Sequence, residues 1–428
     1  MTAFSAWRAA GAAFCVVVVS AACALAAASG PASQPADAKG WLDAPDVVVA
    51  ADGSGDFKTV AAALASLDPK GTARVVILIR DGVYGEHLAI RRSCVTLRGQ
   101  SRKGTRIEYD LAYGDWVKKQ DDIGRGVVNV YGDDVVLENL TVRNTQTQRT
   151  HAFAIFGQGD RTVTLDCDLL GVGNDTVSLW REGGGLYYHA RCRFTGAVDY
   201  LCPRGWCYVV DSSFYEVATS AAIWHDGIGD PNKKFVLRRC TFDGAKLFPL
   251  GRYHRDHQFY LLDCTFSPAV ARDVINNVPK GKEELKWGHR VWYSNCHREG
   301  GDQPWHADNL DKAPGRPTPQ QITAEWAFDG RWNPERSDGP EVVEAAPGNV
   351  RDQAAMFVTF SELVSVRGTP AMMRSGGKAL PYLQGSGGSV LIFGPRPQSW
   401  PAKASWMFDF TGGVIFASQA GATLRAVK

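Results

Sequence analysis

"LDCDLLG", residues 165–171, sets leucine and cysteine alternately with aspartate and ends on glycine, the pattern of a short strand with one face buried. The same unit recurs as "ARCRFTG" (190–196), "RRCTFDG" (238–244) and "LDCTFSP" (262–268). Two cysteine-free relatives, "LENLTVRN" (137–144) and "VDSSFYE" (210–216), extend the series, with steps of 28, 25, 20, 28 and 24 residues. A unit this short cannot bury a face alone, so neighbouring units must stack, and a solenoid of parallel strands is the simplest result. Cys167, Cys192, Cys240 and Cys264 then read as an interior column of small apolar residues. Cys202 and Cys207, five apart in "CPRGWC", read instead as a pair that could bridge around a turn.

Working outward, "DFKTVAAALASLDPKG" (56–71) predicts a short helix with Val60, Leu64 and Leu67 on one face, placed to cap the open end of the solenoid. "RVVILIRDGVYGE" (74–86) and "CVTLRGQ" (94–100) follow as the first strands. Beyond residue 335 the cysteines stop, and "AMFVTFSELVSV" (355–366), "GSVLIFGP" (388–395), "SWMFDFTGGVIFAS" (405–418) and "ATLRAV" (422–427) predict a small β-sandwich. The expected class is all-β: a parallel β-helix with an N-terminal capping helix over 45–335, and a C-terminal sandwich over 338–428. Residues 1–28, with Arg8 before an apolar run and A-x-A sites at Ala24–Ala26 and Ala26–Ala28, read as a secretory signal. That predicts a secreted or periplasmic protein; a lipid-anchored form with Cys23 as the mature terminus stays open. No other run reaches the ~20 apolar residues of a membrane span. A net charge of +2 argues against nucleic acid as a partner, whereas 13 Trp and 13 Tyr would suit flat ligands.

The chemistry concentrates on two aspartates. Asp175 lies eight residues after Cys167, and Asp199 seven after Cys192. Their separation of 24 residues is one coil, so both should project from the same side of rungs ~4.8 Å apart. Like charges that close favour one protonated and one ionised carboxyl, the division of labour of a general acid and a nucleophile. Arg252, two coils further on, could hold the ionised partner through a bidentate contact. Taken singly, each Asp could equally be a turn residue that bonds to nearby backbone; the one-coil offset and the arginine favour the catalytic reading.

"VVVAADGSGDFKTVAAALA" (47–65), "DGVYGE" (81–86), "GDRTVTLDCDLLG" (159–171), "NDT" (174–176), "GAVDYLCPRG" (196–205) and "LGR" (250–252) occur in the order and rough spacing of the pectin methylesterases, a family this chain resembles over about residues 45–310. The resemblance implies a right-handed parallel β-helix and cofactor-free, metal-free hydrolysis of methyl esters on pectin. It implies that Asp199 is the nucleophile, Asp175 the acid and base, and Arg252 the residue that orients Asp199. It also implies a monomer acting on an acidic polysaccharide. The chain departs from the family where His151 opens "HAFAI" and Asn174 precedes Asp175, both positions at which the family carries glutamine. Both residues can still donate hydrogen bonds at an oxyanion site. Trp180, Tyr200, Trp206 and Tyr253, close in sequence to these residues, are candidate sugar platforms. The "VTFSELVSVRGTP" stretch resembles bacterial immunoglobulin-like modules.

Rival chemistries find less support. His254 and His257 with Asp256 between them lack an established metal-ligand spacing, and the chain has no G-x-S-x-G elbow or complete dinucleotide fingerprint. An esterase or thioesterase acting on another acylated substrate, a non-catalytic polysaccharide-binding β-helix, and a calcium-dependent lyase remain as alternatives.

Overall fold

The computed structural model describes residues 42–271, 275–279, 285–374, 379–397, 406–421 and 424–427; the expected signal and Cys23 lie outside them. Among the described residues the chain winds through three parallel sheets of ten, nine and eight strands, here sheets 1, 2 and 3 in the order each coil visits them. One coil runs through Thr162–Leu165, Asp168–Leu170 and Val177–Leu179; the next runs through Gly185–Ala190, Arg193–Gly196 and Leu201–Pro203. Register pairs Val163 with Tyr188, Leu169 with Phe194, and Val177 with Leu201, all in parallel. The architecture is the parallel β-helix expected from the repeat.

The repeat has a specific physical cause at the corner between sheets 1 and 2. Asn139, Asp166, Arg191, Asp211, Arg239, Asp263 and Asn295 all adopt left-handed backbone there, with φ between 51° and 55°. Asn and Asp tolerate that conformation better than most residues. The residue after each corner turns inward, stacking Leu140, Cys167, Cys192, Ser212, Cys240, Cys264 and Cys296 as one buried column. Each thiol can donate within the wall; Cys167 Sγ, for example, lies 3.2 Å from Leu165 O and 3.4 Å from Leu137 O on the preceding coil. The Cys202–Cys207 bridge does not form. Leu201 and Cys207 face the interior, so Cys202, next to Leu201, points out of sheet 3 while Cys207 points in from sheet 1. The two thiols stand on opposite sides of the wall.

The cap is the helix Val60–Ala65, its first turn held by Thr59 Oγ1 and by Glu86, which accepts from the amides of Val60 and Ala61 at 2.9 and 2.8 Å. Val60 and Ala63 are fully buried in the solenoid core, with Leu64 and Leu67 packed against it. The outer face of sheet 1 is also sealed. Leu310, Ala313, Ile322, Ala327, Phe328 and Trp332 cover Val136, Leu186, Tyr188, Trp206 and Tyr260 in a second core. Beyond them, two antiparallel sheets of six and two strands enclose a third core around Met356, Val358, Val364, Leu391, Phe393 and Ile415. This C-terminal part is tied to the solenoid: Arg74 N donates to Ser365 Oγ, its side chain to Ser418 O, and Trp332 to Ala420 O, each at 2.8 Å. Sheet 1 is thereby occupied on its outside, which leaves the outer faces of sheets 2 and 3 for function.

Candidate active site

Asp175 and Asp199 occupy the corner that leads into sheet 3, each left-handed at φ 59° and 48°. Asn174 bridges His151 on one side and Val198 on the other, so the residues following Asn174 and Val198, the two acids, share one register on consecutive coils. The Asp175 amide donates to Val198 O at 2.8 Å, and the Asp199 amide to Ala221 O at 2.7 Å. The corner needs Gly196, because a Cβ there would collide with Tyr200 Cβ. Tyr200 turns inward while Asp199 stays at the bend.

Both acids are largely buried, at 8% and 6% exposure, in a cleft of about 270 Å³ lined by His151, Asn174, Trp180, Cys202, Arg204, Trp224, Arg252 and His254. Arg252 grips Asp199 with Nε at 2.9 and 3.1 Å from its two oxygens and Nη2 at 2.7 Å from Oδ2. Burial alone would lower the guanidinium pKa, but the hydrogen bond and charge of Asp199, together with the charge of Asp175, raise it. Such a charge-assisted fork fixes the direction of the Asp199 oxygens. His151 Nε2 lies 3.7 Å from Asp175 Oδ2, and its side chain is half exposed at the rim. The floor is Cys202, whose Sγ is 2.9 Å from Ser178 Oγ; burial pushes its thiol pKa up, and the charges of Asp175 and Asp199 push it the same way.

The structure thus brings Asp175, Asp199, Arg252, Asn174, His151 and Trp180 together. Three of the expected sugar platforms lie elsewhere. Tyr200 is fully buried in the solenoid core, and Tyr253 is buried in the same core at 3% exposure. Trp206 faces out of sheet 1 beneath the covering segment, its Nε1 donating to Asp329 at 2.7 Å and Arg331 lying 3.8 Å over its ring. These residues sit near the acids in sequence, but side-chain alternation sends them to other faces. His254, Asp256 and His257 do not converge on one point either: His254 Nδ1 meets Val278 O, Asp256 accepts from the Lys286 amide, and His257 Nε2 accepts from the Arg290 amide.

Two cleft residues escaped the sequence reading. Trp224 stands at the register of Cys202 and Arg252, one coil from each, and that register was the signal that could have found it. Arg204 lies 4.1 Å over the Trp180 ring, with Asp226 at 3.7 Å. It adds a second cation to the cleft, stacked as arginine stacks on aromatic faces. A further group was missed below the corner. Glu216 is fully buried, accepts from the Ala218 amide at 2.7 Å, and has its pKa pushed up to about 8, chiefly by burial and in smaller part by the charge of Asp199.

Comparison with known proteins shows what the chain is similar to. Among curated relatives, Pectinesterase 3 of Citrus sinensis is 32% identical over 162 residues, 37% of this chain and 26% of the relative. The pectinesterase/pectinesterase inhibitor U1 of Solanum lycopersicum is 28% identical over 231 residues, 50% of this chain and 38% of the relative. The chain therefore spans between about a quarter and two fifths of the length of these two relatives. Among solved structures, a pectin methylesterase in complex with a hexasaccharide aligns with TM-score 0.56 at 21% identity, over 68% of this chain and 99% of the other. The pectin methylesterase PemA of Erwinia chrysanthemi gives 0.54 at 22% identity, over 68% and 98%. At such identity the likeness is one of fold, the parallel β-helix. The family model described as Pectinesterase matches residues 46–244, a span that holds both acids and His151 and ends shortly before Arg252.

Proposed function

We propose that the protein is a carboxylic ester hydrolase that removes methyl groups from pectin, methyl-esterified polygalacturonate. The observation that carries this reading is the pair of left-handed aspartates on consecutive coils, one of them clamped by Arg252. An Asp199 oxygen attacks the ester carbonyl carbon, and the carbonyl electrons move to oxygen, where Asn174 and His151 supply donors. Collapse breaks the bond to the methoxy oxygen, which leaves as methanol with a proton from Asp175. Asp199 is left acylated. The ionised Asp175 then takes a proton from water, whose oxygen attacks the acyl carbon, releasing the sugar carboxylate and restoring both acids. Trp180 and Trp224 offer ring faces to the sugars, and Arg204 a charge to a neighbouring carboxylate. No cofactor enters this scheme.

The same reading places the enzyme outside the cytoplasm, with residues 1–28 removed on export or with Cys23 carrying a lipid. It takes 45–335 as the catalytic unit and 338–428 as an immunoglobulin-like spacer or attachment module. Among the described residues no helix is long and apolar enough to cross a membrane. The test is substrate choice: the purified chain should release methanol from methylated polygalacturonate at least tenfold faster than it releases acetate from acetylated glycans. Preference for the acetyl ester, or an unsaturated product that depends on calcium, would replace this reading.

A further inference from the structure

Ion pairs consume most of the arginines flanking the solenoid: Arg161 meets Asp134, Arg181 meets Asp133, Arg191 meets Asp166 and Arg239 meets Asp211, all within 2.6–2.8 Å. Three arginines stand apart. The exposed Arg143, Arg149 and Arg193 make no side-chain hydrogen bond or ion pair with any described residue. All three line one concavity of about 510 Å³ on the outside of sheet 2, roughly twice the cleft at the acids, and no carboxylate lines it. The acids opposite them in register are already engaged. Asp168, across from Arg193, is held by Arg102 at 2.6 Å, and Glu108, across from Arg143, lies 3.6 Å from Arg106. Glu216 feels Arg149 but faces the interior, and the exposed Asp243 lies one strand beyond Tyr215, outside the lining. The exposed Tyr215 and Val172 add a ring and an apolar edge.

The groove and the cleft share a single turn. Gly171 and Val172 line the groove, and Asn174 and Asp175, two residues on, line the cleft. Unpaired guanidinium groups in a concavity without acids recognise carboxylates, and three of them in one groove, Arg143 and Arg149 on one coil and Arg193 two coils on, match a polymer that carries a carboxylate at every repeat. We infer that this groove is a second polysaccharide site, selective for the de-esterified acidic polymer and separate from the cleft in which the ester is cleaved. The inference rests on the esterase reading for the identity of the polymer, though not for the existence of a carboxylate-binding groove. The reaction turns each neutral ester into a carboxylate, so the groove grips the kind of chain the cleft produces. Its contacts are surface contacts, and binding weakens as salt screens them.

The test is calorimetric titration of the full chain carrying Asp199→Ala, with defined oligomers of polygalacturonate and their fully methylated counterparts. The acidic oligomer should bind, less tightly at 200 mM than at 50 mM salt. Adding Arg143→Gln, Arg149→Gln and Arg193→Gln together should weaken it about tenfold or more while leaving the methylated oligomer unchanged. A triple lysine variant with the same melting temperature should retain most of the binding and so exclude misfolding. Unchanged binding in the glutamine variant overturns the inference, as does dextran sulfate binding as tightly as polygalacturonate, which would make the groove a general polyanion patch. Binding that follows the expected pattern in a chain whose wild type releases no methanol would remove the esterase reading and leave the groove standing.

Discussion

Two corners of the solenoid use the same strained backbone to different ends. Between sheets 1 and 2, the left-handed positions read Asp166, Arg191, Asp211, Arg239, Asp263, and opposite charges pair along the row: Asp166 with Arg191 at 2.7–2.8 Å, Asp211 with Arg239 at 2.6–2.9 Å. At the corner into sheet 3, two left-handed positions on consecutive coils are both aspartate, and both are nearly buried. A corner under purely structural demands alternates its charges or uses Asn, as the first one does. A corner that stacks like charges in a closed space loses stability to repulsion and desolvation and needs a cation brought from two coils away. The contrast supports the proposed catalytic role of the two acids, and the first corner supplies its internal control.

The sharpest way to break this comparison is to neutralise one acid at each corner. Asp175→Asn removes the proton donor and acceptor and should lower methanol release roughly 10²–10⁴-fold, while Asp211→Asn should leave it unchanged; initial rates on methylated polygalacturonate decide. Equal losses would make both corners structural. Next in size is the pH dependence of stability beneath the acid corner. Burial raises the Glu216 pKa to about 8 from 4.5, so folding favours its protonated form. That stabilisation is fully present below pH 4.5 and declines as pH rises toward 8, by a few kcal/mol, and Glu216→Gln should flatten the decline. Urea midpoints at pH 5 and pH 8 measure it, and an identical slope in the variant would contradict the assignment.

A smaller effect separates the clamped acid from its clamp. Arg252→Gln leaves Asp199 buried without its cation and should lower stability by roughly 2 kcal/mol, modest because the Arg252 side chain is 29% exposed. Adding Asp199→Asn should restore most of the melting temperature, since the stranded charge is then gone. Smallest of all, Arg239→Gln at the alternating corner should shift stability by about 0.5 kcal/mol, because both partners of its pair are nearly half exposed. A larger loss there would mean that the charge row holds the solenoid together.

The stacking of the solenoid was legible because one residue per coil, the buried cysteine or its replacement, repeats at a fixed place after a bend, and the acids follow from counting one coil. The left-handed residue before each cysteine was also in plain sight as Asp, Arg or Asn, but its meaning appears only with the backbone. What resisted reading was the side of the wall. Tyr200, Trp206 and Tyr253 flank Asp199 and Arg252 in sequence, yet alternation within strands of three to six residues sends them to the core or to sheet 1. The segment that covers sheet 1 has short helical turns and no period, so nothing in its sequence announced that it would claim Trp206. Arg204 and Trp224 needed the register of sheet 3. The empty charge of Arg143, Arg149 and Arg193 needed the positions of every other acid.

The most direct test of the stacked acids is methanol release by wild type, Asp199→Ala and Asp175→Asn/Asp199→Ala, measured alongside melting temperature. Asp199→Ala should abolish release to about 10⁻⁴ of wild type or less while melting no lower than wild type, and the double variant should be no slower than Asp199→Ala alone, because the two acids act as one unit. Release by Asp199→Ala within tenfold of wild type, or further loss in the double variant by the full factor of the Asp175 change, would contradict the account.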